Sequence, residues 1–246
     1  MKFILLYCIF SFTFSASGSL SPEDILQNAS RRLDGINHEF SVLMETKKGK
    51  KNKSIEFKVM VHWPEEGDIL RETRILPLNS KKKKPTSYWE QLFKNGRETK
   101  RWMSMPITGK LKDVSQKKAG KKSFSFDELE ITSDFIQSAH HQIIGEDSVN
   151  DTKVIIIESE KSNEKGSTKL WIDTSDYFIH KAEFYSKTGR LYRSIHCLDL
   201  LKIEAIQFPS KILVKNLKSK SEIHLAISNF SLNPAFDTSL FTPVKQ

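Results

Sequence analysis

Cysteine is nearly absent. The 246 residues contain two, Cys8 and Cys197, and Cys8 lies in a segment expected to be removed. A single remaining thiol excludes an intrachain disulfide from the mature chain. In the apolar run SIHCLDL (Ser194–Leu200), Cys197 reads as a small buried hydrophobe. No apolar run is long enough to span a bilayer. The longest, Phe3–Phe14 (FILLYCIFSFTF), falls well short of the roughly 20 residues a membrane helix needs. Patterns for nucleotide or serine-hydrolase chemistry are also lacking: no P-loop, no G-x-S-x-G, no H-E-x-x-H. Of the seven histidines only His140-His141 are close. Neighbours on a strand point to opposite faces, so they do not form a metal pair. No metal or other cofactor is expected. Lys187-Thr188-Gly189 and Ser115-Gln116-Lys117-Lys118 match fragments of the penicillin-recognising enzymes. The third fragment, S-D-N, is missing, and Lys187-Thr188-Gly189 fits a turn better. Glu65-Glu66 sits in a turn, where paired catalytic carboxylates are not expected.

The N-terminus carries an address. Lys2 is a minimal basic region, Phe3–Phe14 an apolar one, and Ala16-Ser17-Gly18 offers small residues for cleavage. Residues 1–18 are read as a signal peptide cut after Gly18, leaving a periplasmic or secreted chain of one domain over 19–246. An uncleaved anchor, or acylation at Cys8, is the alternative. Cys8 lacks the small residue before it that acylation sites carry.

Basic residues dominate, with a formal charge of +9. They cluster at Lys47–Lys53, Lys81–Lys84 and Lys110–Lys122. Such runs are solvated loops or a surface attracted to anionic lipid head groups. Export argues against nucleic acid as the partner.

Ser21-Pro22-Glu23-Asp24 is a helix start: a capping hydroxyl, a proline at the first helical position, and acids at the positive end of the dipole. Ile25, Leu26, Ala29 and Leu33 then share one face, and Gly35 is the expected stop. Beyond it the period becomes two. Phe40, Val42 and Met44 alternate with polar residues, as do Ile55, Phe57, Val59, Val61 and Trp63. Strands follow at 69–76 and around Asn95-Gly96, a strong hairpin signal. Further strands are expected near 138–145, 152–160, 167–173, 177–186, 190–200, 209–217 and 221–232. Between them, Pro106–Ser133 breaks the pattern with glycines, lysines and SFSFDELEI, the last read as a short helix capped by Ser125 or Asp127. No repeat of fixed period is present. The expected fold is mainly β (α+β): a strongly curved antiparallel sheet or unclosed barrel of about 11 strands, with helices over its concave face.

Three stretches in order resemble the outer membrane lipoprotein-sorting proteins, the LolA-like family. They are RWMSMPITGKLKDVSQKKAGKKSFSFDELE (101–130), LWIDTSDYFIHKAEFYSKTGRL (170–191) and ISNFSLNPAFDTSLFTP (227–243). The family pattern closes on L-N-P followed by S-L-F-T-P, as here. Where the family places an arginine before the proline ending its second strand, this chain has Trp63 before Pro64. The resemblance implies a hydrophobic groove that shelters acyl chains of lipoproteins or other lipids crossing the periplasm. It also implies an inner-membrane donor complex, an outer-membrane acceptor, and a protein that is not an enzyme. A monomer is expected. The groove candidates are Phe40, Val42, Ile55, Phe57, Val59, Val61, Trp63 and Trp102. The lid candidates are Met103, Met105, Phe124, Phe126 and Leu129. The alternatives are a periplasmic lipoprotein or lipid sensor that binds a membrane regulator, and an enzyme acting on lipid.

Overall fold

The computed structural model describes residues 20–78, 86–105, 108–115, 131–161 and 166–244. The signal segment, Cys8, Lys81–Lys84, most of the Lys110–Lys122 run, and Phe124, Phe126 and Leu129 lie outside the described residues.

Helix α1 spans Pro22–Ser30. Ser21 Oγ accepts the Asp24 N–H at 3.1 Å, and the Asp24 carboxylate accepts the Ser21 N–H at 3.3 Å. Two orphan N–H groups of the first turn are thus satisfied reciprocally. The helix stops earlier than Gly35. At Arg31 the N–H turns back to Gln27 and Asn28 carbonyls, and the chain leaves through a turn in which Gly35 takes a φ of +76°.

Thirteen strands follow: β1 His38–Lys48, β2 Lys51–His62, β3 Ile69–Pro77, β4 Tyr88–Phe93, β5 Lys100–Ser104, β6 Leu111–Asp113, β7 Ala139–Val149, β8 Thr152–Lys161, β9 Ser167–Ile172, β10 Ile179–Tyr185, β11 Leu191–Ile203, β12 Ile206–Asn216 and β13 Ser221–Leu232. Helix α2, Ser133–Ser138, precedes β7. All pairings are antiparallel and form one sheet in the order β6-β5-β4-β3-β2-β1-β13-β12-β11-β10-β9-β8-β7. Two meanders are therefore joined by the β1–β13 pair, and β6 and β7 are the edges. The sheet is unclosed among the described residues.

The strand count exceeds the expected eleven. The clear addition is β6, a three-residue strand inside the segment read as irregular. Gly145 and Pro209, residue types that commonly mark turns, lie within strands. Gly145 sits at a bulge in β7, where the register shifts between Ile143 and Gly145. Pro209 pairs with Leu200 in β12 beside a register shift at Asp199/Leu200. An extra residue in one strand accommodates what a regular ladder would reject.

Curvature follows from the core. Ile25 and Leu26 of α1 pack in one buried cluster with Phe57 and Val59 of β2 and Ile157 of β8. In a flat sheet, the seven spacings between β2 and β8 would amount to roughly 34 Å. A nine-residue helix is only about 14 Å long. The sheet must curl around α1 for one helix to reach both halves.

The outer face is covered over β2–β4 by the closing segment. Asp237 caps a 3-10 turn, Thr238–Phe241. Arg74 Nη1 and Trp89 Nε1 both donate to the Leu240 carbonyl, at 2.7 and 3.3 Å. Phe241 packs on the His62 ring at 5.1 Å, and Trp89 beneath is fully buried.

Candidate functional site

Strand alternation and register divide the sheet into two faces. On β2, Phe57, Val59 and Val61 point one way, and Glu56, Lys58 and His62 the other. Register carries the first set across the sheet. Val42 stands opposite Phe57 and Ile227, Met44 opposite Leu225, Leu225 opposite Ile212, and Ile212 opposite Cys197. Further on, Ile195 meets Ala182, Ala182 meets Leu170, and Leu170 meets Ile157. The result is a continuous apolar inner face, from β2 to the edge strand β7.

Among the described residues two helices cover it. α1 seats Ile25 and Leu26. In α2, Thr132 Oγ1 accepts the Phe135 N–H at 3.1 Å, and Phe135 and Ile136 rest on the same cluster. α2 is tied to the sheet by His141, whose Nε2 lies 3.0 Å from the Ile136 carbonyl and whose Nδ1 lies 2.7 Å from Ser159 Oγ. If Nε2 carries the proton, the serine hydroxyl donates to Nδ1. Both residues are buried, so the pair fastens α2 and offers no exposed nucleophile.

The groove candidates separate on this frame. Val42, Phe57, Val59 and Val61 are buried in the cluster, with Phe40 and Trp63 packed against it. The Trp63 indole Nε1 is buried without a partner among the described residues. Ile55 shares the face but is 49% exposed, near the β1–β2 turn. Trp102 belongs to the other face. It stands opposite Trp89, which stands opposite Arg74, which stands opposite Met60. Successive residues of a strand face opposite ways, so the groove candidate Trp102 and the lid candidate Met103 do not share a face. Met103, opposite Tyr88 and through it Ile75, is the one on the inner face. Met105 lies beyond β5, its N–H donating to Lys110 and its carbonyl accepting from Gly109.

Sequence reasoning missed α2. Its signal was a capping Thr132 with Asp134 in the first turn, ahead of Phe135 and Ile136. It also missed a polar patch on the inner face of β3–β5. Glu90, 7% exposed, lies 2.7 Å from Arg101 Nε and 3.4 Å from Arg71 Nη2, and accepts from Tyr88 Oη at 3.2 Å. Sequence distance hides this set, because only strand pairing brings Arg71, Glu90 and Arg101 together.

Behind α1, Arg32 anchors the turn to the β9–β10 connection. Its Nε donates to the Asp176 carbonyl at 2.8 Å, its Nη2 bonds the Asp176 carboxylate and the Gln207 carbonyl, and it stacks on Phe178 at 4.9 Å. Burial lowers its pKa, with Asp176 opposing. Burial also holds His180 and His38 below the ordinary histidine range, and pushes the Cys197 thiol up to about 12. Among the described residues no group of three His, Cys, Asp or Glu side chains could hold a metal, and no helix is long and apolar enough to cross a membrane.

No curated protein matches the chain. Solved structures do. A DUF1329 family protein from Desulfovibrio piger superposes with a TM-score of 0.71 at 16% identity, covering 91% of this chain and 98% of that one. A putative outer membrane lipoprotein-sorting protein domain from Vibrio parahaemolyticus gives 0.72 at 15% identity, over 89% and 95%. A LolA superfamily protein from Nitrosomonas europaea gives 0.62 at 19% identity, over 92% and 99%. A family model described as "uncharacterized protein" matches residues 72–245. The chain belongs to that family, and its fold is LolA-like.

Proposed function

We propose that the protein is a carrier that shelters acyl chains of lipoproteins or other lipids against the inner face of its sheet. The reading includes export to the periplasm with removal of residues 1–18, and transfer of cargo towards the outer membrane. The observation that carries it is an apolar inner face running from β2 to β7, covered among the described residues by two short helices of nine and six residues. Apolar surface on that face reaches solvent at its margins: Ile143 on edge strand β7 is 44% exposed, and Ile55 on β2 is 49% exposed. An acyl chain needs such a surface, because each methylene taken from water contributes about 0.8 kcal/mol. Displacing helix side chains by ligand exchanges one apolar contact for another, so loading and release can both proceed near balance. Phe40, Val42, Ile55, Phe57, Val59, Val61 and Trp63 are the proposed lining. Met105, Phe124, Phe126 and Leu129 join α1 and α2 in the proposed cover, and Met103, on the inner face of β5, joins the proposed lining.

Native mass spectrometry of the protein purified from envelope extracts tests the reading. Acylated cargo is expected on the wild type, and its loss on a Phe124→Asp/Phe126→Asp variant that still folds. A wild-type protein that carries no lipid and takes up none on incubation ends the proposal.

A further inference from the structure

The sheet has a basic end and an acidic end. The β1–β2 hairpin and the β12–β13 hairpin, remote in sequence, become neighbours because β1 pairs with β13. Lys47 faces Glu222 and Lys48 faces Ser221. Lys47, Lys48, Lys50 and Lys51 of one tip thereby join Lys215, Lys218 and Lys220 of the other, and Lys47, Lys215 and Lys220 line a common cleft. The next hairpin, β10–β11, adds Lys187 and Arg190 at the same end, since Arg193 of β11 pairs with Asn216 of β12. Among the described residues the acids there are Glu222, which engages Lys215 at 3.9 Å and His224 at 3.4 Å, Glu45 further along β1, and, towards the β7 edge, Glu160 of β8 and Asp134 of α2. At the other end the connections carry Glu65, Glu66 and Asp68 after β2, Asp151 after β7, Asp173 and Asp176 after β9, and Glu204 after β11. Lys94 and Arg97 are the bases of that end's β4–β5 turn, and Arg97 pairs with Asp68.

We propose that the basic end is a docking surface for an anionic lipid bilayer. Three features select a bilayer over an acidic protein. The charges sit on the tips of adjacent hairpins, a rim suited to a plane. They are almost all lysines, flexible point charges fitted to a diffuse headgroup layer, where bidentate recognition would call for arginine. Exposed apolar side chains stand among them. Leu217 is 49% and Tyr192 40% exposed, held side by side by the Leu217 N–H on the Tyr192 carbonyl at 2.9 Å, and Leu78 is 45% exposed beside β2. Basic residues interleaved with apolar ones bind interfaces by combining both attractions. The opposed charges of the two ends orient the molecule before contact. The basic end also carries α2, which precedes the start of β7, so docking brings the shorter covering helix to the lipid. The proposal stands whether or not the inner face holds an acyl chain.

Sedimentation with vesicles tests it. The full chain is mixed with phosphatidylcholine vesicles, either pure or containing roughly one-third phosphatidylglycerol, at about 0.1 M and about 1 M salt, where Debye lengths are about 10 and 3 Å. Binding is expected to anionic vesicles at low salt and to be lost at high salt. Lys50→Gln with Lys218→Gln and Lys220→Asn should weaken it about a hundred-fold, at about five-fold per lysine. Asparagine suits position 220, where φ is +49°, and circular dichroism checks the fold. Lys94→Gln at the opposite end should leave binding within about two-fold. The proposal is overturned by equal binding to neutral and anionic vesicles, by a triple variant that binds like wild type, or by an equal loss with Lys94→Gln. Failure to bind any vesicle while an acidic protein is retained overturns it in favour of that partner.

Discussion

Leu26→Ala in α1 measures how firmly the helix is seated on the sheet. Leu26 is fully buried and Ile25 nearly so, and both belong to the cluster that joins the two halves of the sheet. Removing a buried leucine side chain costs its transfer free energy plus a cavity term, about 3–5 kcal/mol where the surroundings cannot collapse. Collapse is restricted here, because Val42 and Ile157 of the same cluster belong to strands locked in the ladder. By contrast, Ser21→Ala removes the capping box and should cost about 1 kcal/mol. Urea unfolding followed by circular dichroism gives both numbers, and a loss of 3–5 kcal/mol should lower Tm by roughly 6–20 °C in a chain of this size. The cavity is apolar and fits methylenes. An acyl ligand that binds the folded variant should restore about 2.7 kcal/mol at a hundred times its Kd. A Leu26→Ala cost no larger than that of Ser21→Ala would refute the reasoning, since α1 would then be held by its cap and not by the inner face.

Acidification should destabilise the fold. Burial lowers the pKa of His38, His180 and His196, so below about pH 6.5 the unfolded chain binds protons that the native one does not. Stability present near neutrality is lost as pH falls below about 6.5, and the urea midpoint should drop, less so in His180→Phe; a midpoint unchanged down to about pH 5.5 contradicts this. Cys197, buried and with its thiol pushed up to about 12, should react with a thiol reagent at the rate of unfolding, and prompt labelling of the native protein would count against its burial. Phe241→Ala should cost about 3–5 kcal/mol by uncovering His62 and Trp89. A variant with wild-type Tm would show that the closing segment does not hold the outer face.

Strand identity was legible because alternation is local. Phe57, Val59 and Val61 announce an inner face within five residues, and Ser21-Pro22 announces a helix start within two. What stayed hidden depended on pairing. Trp102 was misassigned because a tryptophan beside a methionine at a strand end gives no sign of which one faces inward, and only the register through Trp89 and Arg74 decides. Gly145 and Pro209 imitate turns in sequence because the same residues that end strands also sit at register shifts, and only a partner strand separates the two uses. The Arg71–Glu90–Arg101 set and the joined lysine tips needed the sheet order, which no local pattern encodes.

The two covering helices are not equivalent, and their difference bears on how a ligand could reach the inner face. α1 has a reciprocal cap, two buried side chains, and a following arginine bonded to Asp176 and Gln207. α2 is six residues long with no fully buried residue; its ties include one cap, the Ile136 carbonyl on His141, a tilted Phe135–His141 ring contact at 5.4 Å, and Phe135 and Ile136 resting half-buried on the cluster. Local opening starts where buried apolar contacts are fewest. α2 therefore yields before α1, and it lies before edge strand β7, where apolar Ile143 already meets solvent. An incoming chain that replaces Phe135 and Ile136 meets the weaker cover first, while α1 keeps the two halves of the sheet together.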